Sequence, residues 1–299
     1  DPSSTPKFEE SKLDVDARQM NILMATDTLA TAKELYEVGY NSKDGESLRS
    51  LKDKVSYGTK ILGQPGELSS LWKTYFNGAD NYPDTYINGI LSGGGAYVSA
   101  SRAQKAEAVR RMIQAGVSHL VVAKHLDDAF LACSQGQNGN DHVDSAAAFM
   151  IGSIEGPRSG GSTARKGSML YGLANEVCGR FEKCETTGDA TANEFILFAF
   201  DDIKQWLKDT QCESGISIAN ESLLPMLSVS VIQSLIIDAS ASVPLPAQSP
   251  QDQLASLDAL GKSILPQIND VNQTSAATIS DITTFNFNQK AATTIGPIF

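Results

Sequence analysis

The stretch "AQKAEAVRRMIQAGVSHLVVAKHLDDAFLAC", Ala103 to Cys133, decides the class of the fold. Val109, Met112, Ile113, Val117, Leu120 and Val121 recur at steps of three and four residues, the period of one buried face of an α-helix. Ser101 and Gln104 have the spacing of a capping box at its start, and Gly136 supplies a stop soon after its end. Thr191 to Asp209 repeats the pattern, with Thr191 and Glu194 as a second capping box and Ile196, Phe200, Ile203 and Leu207 as the apolar stripe. Asp14 to Val38 reads as a third long helix. Shorter ones are expected at Glu46–Val55, Leu68–Phe76, Thr85–Leu91, Ser145–Ile154, Gly167–Phe181 and Ser217–Ser240. Nothing alternates over six residues, so the expected fold is all-α, a helical bundle with long irregular loops.

The middle of the chain repeats itself. "DNYPDTYINGILSGGGAYVSASR" from Asp80 resembles "NDHVDSAAAFMIGSIEGPRSGGSTAR" from Asn140, and each copy runs on into helical sequence with a double aspartate and a cysteine: Asp127, Asp128 and Cys133, then Asp201, Asp202 and Cys212. A duplicated helical unit over residues 1–215 is the reading, with residues 216–299 as C-terminal helices and a tail on the same core. "SVPLPAQSPQ" reads as a strap or linker ahead of a Ser/Thr-rich helix from Gln251.

Composition narrows the function. Of 299 residues, 41% are hydrophobic, enough for a real core, and 35 acids against 24 bases give a net charge of −11 without a long acidic block. Such a surface repels nucleic acid and suits cations. The four cysteines, Cys133, Cys178, Cys184 and Cys212, form no CxxC pair and allow two disulfides in three connectivities. Asn220 and Asn272 begin glycosylation sequons, and the start "DPSSTPKFEE" reads as a mature amino terminus after signal removal. "LLPMLSVSVIQSLIIDA" from Leu223 is broken by Pro225 and four polar residues and falls short of the roughly 20 apolar residues of a spanning helix. These features lead to a secreted protein with no membrane span.

Candidate ligands come from acids on apolar faces. Met20, Leu23, Asp27, Glu34 and Val38 fall on nearly one side of the first helix, which sets two carboxylates in an apolar stripe. His125 and Asp128 have the three-residue spacing used by metal sites in helix bundles, and Asp128 continues the Val117–Val121 face. Ion pairing with Lys33 or Lys124 is the plain alternative. In "NDHVDSAAAFMIGSIEG", His142 and Asp144 precede an apolar run and Glu155 ends it; an N-cap explains Asp144 but not Glu155. The glycine-rich loop beyond it brings Arg158, Ser162, Thr163 and Arg165, groups suited to an anion. Tyr36, Tyr40 and Tyr171 add phenolic oxygens that suit ferric iron. There is no GxSxG, no HExxH and only three histidines, of which His119 and His125 face different ways on one helix, so an enzyme is not expected.

"ATDTLATAKELYEVGYNS", "DHVDSAAAFMIGSIEG" and "GSMLYGLANEVCGRFEKC" resemble the algal Fe-assimilating proteins, whose domain also occurs in phytotransferrins; the likeness spans about Asp14 to Cys212. It implies a secreted or periplasmic protein that binds Fe(III) for uptake, with carbonate as a companion anion and a cell-surface reductase or permease as receiver. It carries Tyr36, Asp144, Glu155 and Tyr171 over as ligands. Two other readings fit the same residues: an extracellular enzyme acting on a small anion such as bicarbonate, and a structural helical protein of the cell wall.

Overall fold

In the computed structural model, residues 5–26, 28–63, 67–155, 167–240 and 250–284 are described. In chain order their helices are α1 (Thr5–Ser11), α2 (Leu13–Thr26), α3 (Leu29–Val38), α4 (Leu51–Gly58), α5 (Leu68–Tyr75), α6 (Tyr82–Leu91), α7 (Arg102–Arg111) and α8 (Ser118–Ser134). They continue with α9 (Asn140–Ile151), α10 (Leu170–Val177), α11 (Thr191–Lys208), α12 (Cys212–Ile218), α13 (Leu224–Ala239), α14 (Pro250–Val271) and α15 (Gln273–Thr283). Among the described residues the fold is all-α apart from one short hairpin, β1 (Lys43–Asp44) with β2 (Ser47–Leu48), and a single bridge between Cys184 and Ala190.

The stretch from Ala103 to Cys133 forms the spine. Helices α7 and α8 join without a break through a π-helical segment, Met112–Val117, and the Ser101–Gln104 capping box closes the start. The spine contributes to both large apolar clusters: Val109, Met112 and Val121 to one, Val122, Leu126 and Ala129 to the other. Helix α14 does the same, with Ala255 and Ala259 in the first and Leu260 and Ile264 in the second. Close approach is possible because Gly116 has no side chain; a Cβ there would lie 2.9 Å from both Ser263 Oγ and Trp72 Cη2.

Local signals depart from the sequence reading in four places. The helix expected over Asp14–Val38 is two, because Thr28 is extended and its hydroxyl caps α3 at Thr31 N. Residues 46–50 are not helical: Gly45, at φ +60°, turns the hairpin, and α4 starts after the Ser50 cap. Thr191 and Glu194 make no capping box, since Thr191 Oγ1 donates to Glu185 instead. Helix α9 starts at Asn140, so Asp144 lies inside it rather than at its N-cap.

At the far end of α9, Gly152 adopts φ +80°, and Asp14 from α2 fills the space beside it, accepting from Ser153 N and Ile154 N at 2.8 Å each. A Cβ on Gly152 would meet Asp14 Oδ2 at 2.3 Å, so only glycine fits. Burial pushes the Asp14 carboxyl up to about 6 despite these donors.

The cysteines resolve to Cys133–Cys212, which ties α8 to α12, and Cys178–Cys184. Disulfides form in oxidising compartments. Helices α12 and α13 join through a second π-helical segment (Ala219–Leu223) into one 28-residue helix, Cys212–Ala239. By length and composition it is able to cross a membrane, a test that core helices of soluble proteins also pass, and half of its most apolar window is buried within the fold. The Pro-rich segment at 241–249 lies outside the described residues.

Candidate metal centre

Four helices bring polar side chains together beside the spine. Glu10 comes from the end of α1, Tyr57 from the last turn of α4, His125 and Asp128 from one face of α8, and His142 from the first turn of α9. Gly58 lets α4 touch α8 at backbone distance, since a Cβ there would lie 3.0 Å from Val121 N. That contact lays Tyr57 over His125, with ring centroids 4.5 Å apart, and the His142 ring stands 6.2 Å from that of His125.

The hydrogen bonds fix the state of His125. Tyr57 donates its one phenolic hydrogen to Asp128 Oδ2 at 2.6 Å. His125 Nδ1 lies 2.9 Å from the same phenol oxygen, so that nitrogen must carry the hydrogen and donate. The other nitrogen, Nε2, is then a bare lone pair. It is buried and makes no close hydrogen bond; Glu10 Oε1 faces it at 3.6 Å, a long contact that becomes an ion pair when the ring is protonated. Burial pushes the His125 pKa down to about 4, with Glu10 opposing, so the ring is neutral at pH 7. Burial opposes ionisation of Glu10 as well, yet the paired Lys54 ammonium helps to hold its carboxyl far below the usual range.

A lone pair and a carboxylate oxygen turned on each other is unfavourable unless a proton or a metal cation stands between them. Two ligands about 2.1 Å from one ion span 3.6 Å at an angle of roughly 120°. Two ammonium groups border the gap. Lys54 pairs with Glu10, Lys124 pairs with Asp128 at 2.5 Å, and both lie over the Tyr57 ring, at 5.3 and 4.9 Å from its centre. Among the described residues no three His, Cys, Asp or Glu side chains stand close enough to hold an ion at once. The preformed part is therefore the Glu10–His125 pair, with Tyr57, Asp128 and His142 around it.

The other residues singled out by sequence lie elsewhere. Tyr36 is fully buried and donates to Asp84 Oδ1 at 2.9 Å. Asp144 pairs with Lys204 of α11 at 2.7 Å, partly exposed. Glu34 is exposed and Val38 is 52% exposed, so the expected apolar stripe of the first helix does not continue past the break; Asp27 lies outside the described residues. Glu155 is buried and accepts from Gly167 N and Asn175 Nδ2 at 2.8 Å each, which joins the two ends of segment 156–166. Asn175 also donates to Asp189, and the Tyr171 phenol, raised first by burial and then by Asp189, belongs to the same network. Glu155 and Tyr171 thus come together, while no hydrogen bond or ion pair among the described residues links either to Tyr36 or Asp144. Arg158, Ser162, Thr163 and Arg165 lie outside the described residues.

The sequence reading named Asp128 and His142, which lie in this cluster, and did not name Glu10 or Tyr57. Glu10 sits in a seven-residue helix with no apolar period, and Tyr57 follows a short amphipathic turn. The Tyr57–Gly58 pair is the one local signal, because a glycine, having no side chain, permits a close approach of two backbones. No family model, no curated protein and no solved structure matches the chain.

Proposed function

We propose that this chain is a secreted or periplasmic iron-binding protein that captures ferric iron for uptake, as its resemblance to the algal Fe-assimilating proteins implies, and that the ion enters between α1, α4, α8 and α9. The observation that carries the reading is the neutral His125 whose unpartnered Nε2 faces the Glu10 carboxylate. Carboxylates from Glu10 and Asp128 and the Tyr57 phenol supply the oxygens that a hard trivalent cation prefers, with His125 and His142 as nitrogen donors. Lys54 and Lys124 balance the acids until the ion displaces them. The net charge of −11 attracts the cation over a longer range. Two disulfides and the exposed positions of Asn220 and Asn272 support an extracytoplasmic setting.

The test is titration of purified protein with Fe(III) from a weak chelate, read by equilibrium dialysis, with and without bicarbonate. Glu10→Gln and His125→Ala are each expected to weaken binding by about a hundredfold or more, the loss typical of a ligand or its close support. Wild-type affinity in both variants would sink the proposal. Stronger binding in bicarbonate assigns the companion anion, and equal binding removes it.

A further inference from the structure

A second, apolar site lies on the opposite side of α8. A cavity of about 910 Å³ opens between α5, α8, the 212–239 helix, α14 and α15, with walls that include Leu126, Phe130, Ile216, Leu224, Ile264 and Ile268. Its size suits one small molecule. Two polar groups on its wall lack partners. His119 is 1% exposed and neither ring nitrogen makes a well-formed hydrogen bond, the Ala115 carbonyl being the one polar group that acts on it; burial lowers its pKa to about 4, so at neutral pH the imidazole presents one donor and one acceptor. Asp127, half-buried, accepts no hydrogen bond among the described residues, and Glu67 and, more weakly, the Lys124 ammonium lie close enough for their charges to act on it. Glu67 already accepts from Leu62 N and Gly63 N, so Asp127 is the free acceptor. No lining residue is Lys or Arg.

His119 and Asp127 are eight residues apart on α8, about 12 Å along the helix axis. We infer that the cavity binds an elongated apolar amine, with its ammonium group at Asp127 near the rim and a hydrogen-bonding group at its far end on His119. The charge of the lining selects an amine over a fatty acid, whose carboxylate would meet two acids and, on the wall, no lysine or arginine. An orphaned, fully buried imidazole costs stability, and a ligand hydroxyl removes that cost.

The experiment uses the full chain and three probes below their micelle concentrations, 10-aminodecan-1-ol, decylamine and 10-hydroxydecanoate, read by calorimetry. The amino alcohol is expected to bind in the micromolar range and the hydroxy acid at least tenfold more weakly. Asp127→Asn should bring those two within about threefold, while Asp202→Asn, an exposed control of equal charge change, keeps the gap. His119→Leu should remove the preference for the amino alcohol over decylamine. Circular dichroism melts check that each variant folds, and the three-probe ranking on the wild-type protein stands apart from them. The inference is overturned if the hydroxy acid binds as well as the amino alcohol, if none binds, or if Asp127→Asn behaves like Asp202→Asn.

Discussion

The Arg110–Arg111 cluster and the Glu10–His125 cluster both bury charge against the spine, and they solve that problem in opposite ways. In the first, two guanidinium groups meet two carboxylates: Arg111 is fully buried and donates to Glu107, Gln114 and Glu176 at 2.8 to 3.1 Å, and Arg110 reaches Glu107 and Glu176. Burial resists ionisation of Glu176, but the two arginines hold it down at about 2. Charges balance and donors are satisfied, so the cluster has nothing left to bind. In the second, Lys54 and Lys124 match Glu10 and Asp128 in charge, but the His125 lone pair stays unanswered. Closed networks hold helices together; an open valence is where a ligand enters.

That contrast breaks most readily at Arg111. Arg111→Met leaves Glu107 and Glu176 buried with half their partners, and we expect a loss of about 3–5 kcal/mol in urea denaturation, the typical cost of breaking a buried pair. Iron affinity of the folded fraction should stay unchanged; a matching loss of affinity would merge the two clusters.

Asp238 lies beside the same network without joining its ion pairs. Neither of its oxygens makes a close hydrogen bond among the described residues, and burial, with Arg111 and Ser256 opposing, pushes its carboxyl up to about 7 from 3.8. The folded state then binds its proton more tightly than the unfolded state. The charged form costs stability above pH 7, and the cost fades as pH falls from 7 towards 3.8. Asp238→Asn should therefore be about 2–4 kcal/mol more stable than wild type at pH 8, with the gain gone near pH 4. A gain that is flat with pH would show that the charge is not its source.

At the open cluster, Lys54→Met removes the cation that competes for Glu10. Fe(III) affinity should rise by about tenfold, roughly 1.4 kcal/mol, whereas a fall would make Lys54 part of the binding shell. The smallest effect is expected at Asp144. Its bond to Lys204 is partly exposed, so Asp144→Ala should cost less than about 1 kcal/mol and leave the iron titration untouched. A clear loss of binding there would move the site towards α11.

The three-and-four period of Ala103–Cys133 was enough to specify an all-α chain with that helix at its centre, because a periodic apolar face has to be covered by other helices. The His125–Asp128 spacing was legible for the same reason: a helix of known pitch puts them one turn apart whatever surrounds them. The break at Thr28, the entry of α4 after its hairpin and the start of α9 before Asp144 were not, since caps and turns compete with helix period over only a few residues. Nor was the partner of each acid. Asp144 and Glu155 read alike as polar groups around an apolar run, and tertiary packing gave one a lysine from α11 and the other two N–H donors and a buried place. Sequence alone determined the helix class, the cysteine count and the charge. Only the packing of α1 and α4 on α8 decided which carboxylate meets which nitrogen, because a lone pair is satisfied or orphaned by neighbours that are 68 and 115 residues away in the chain.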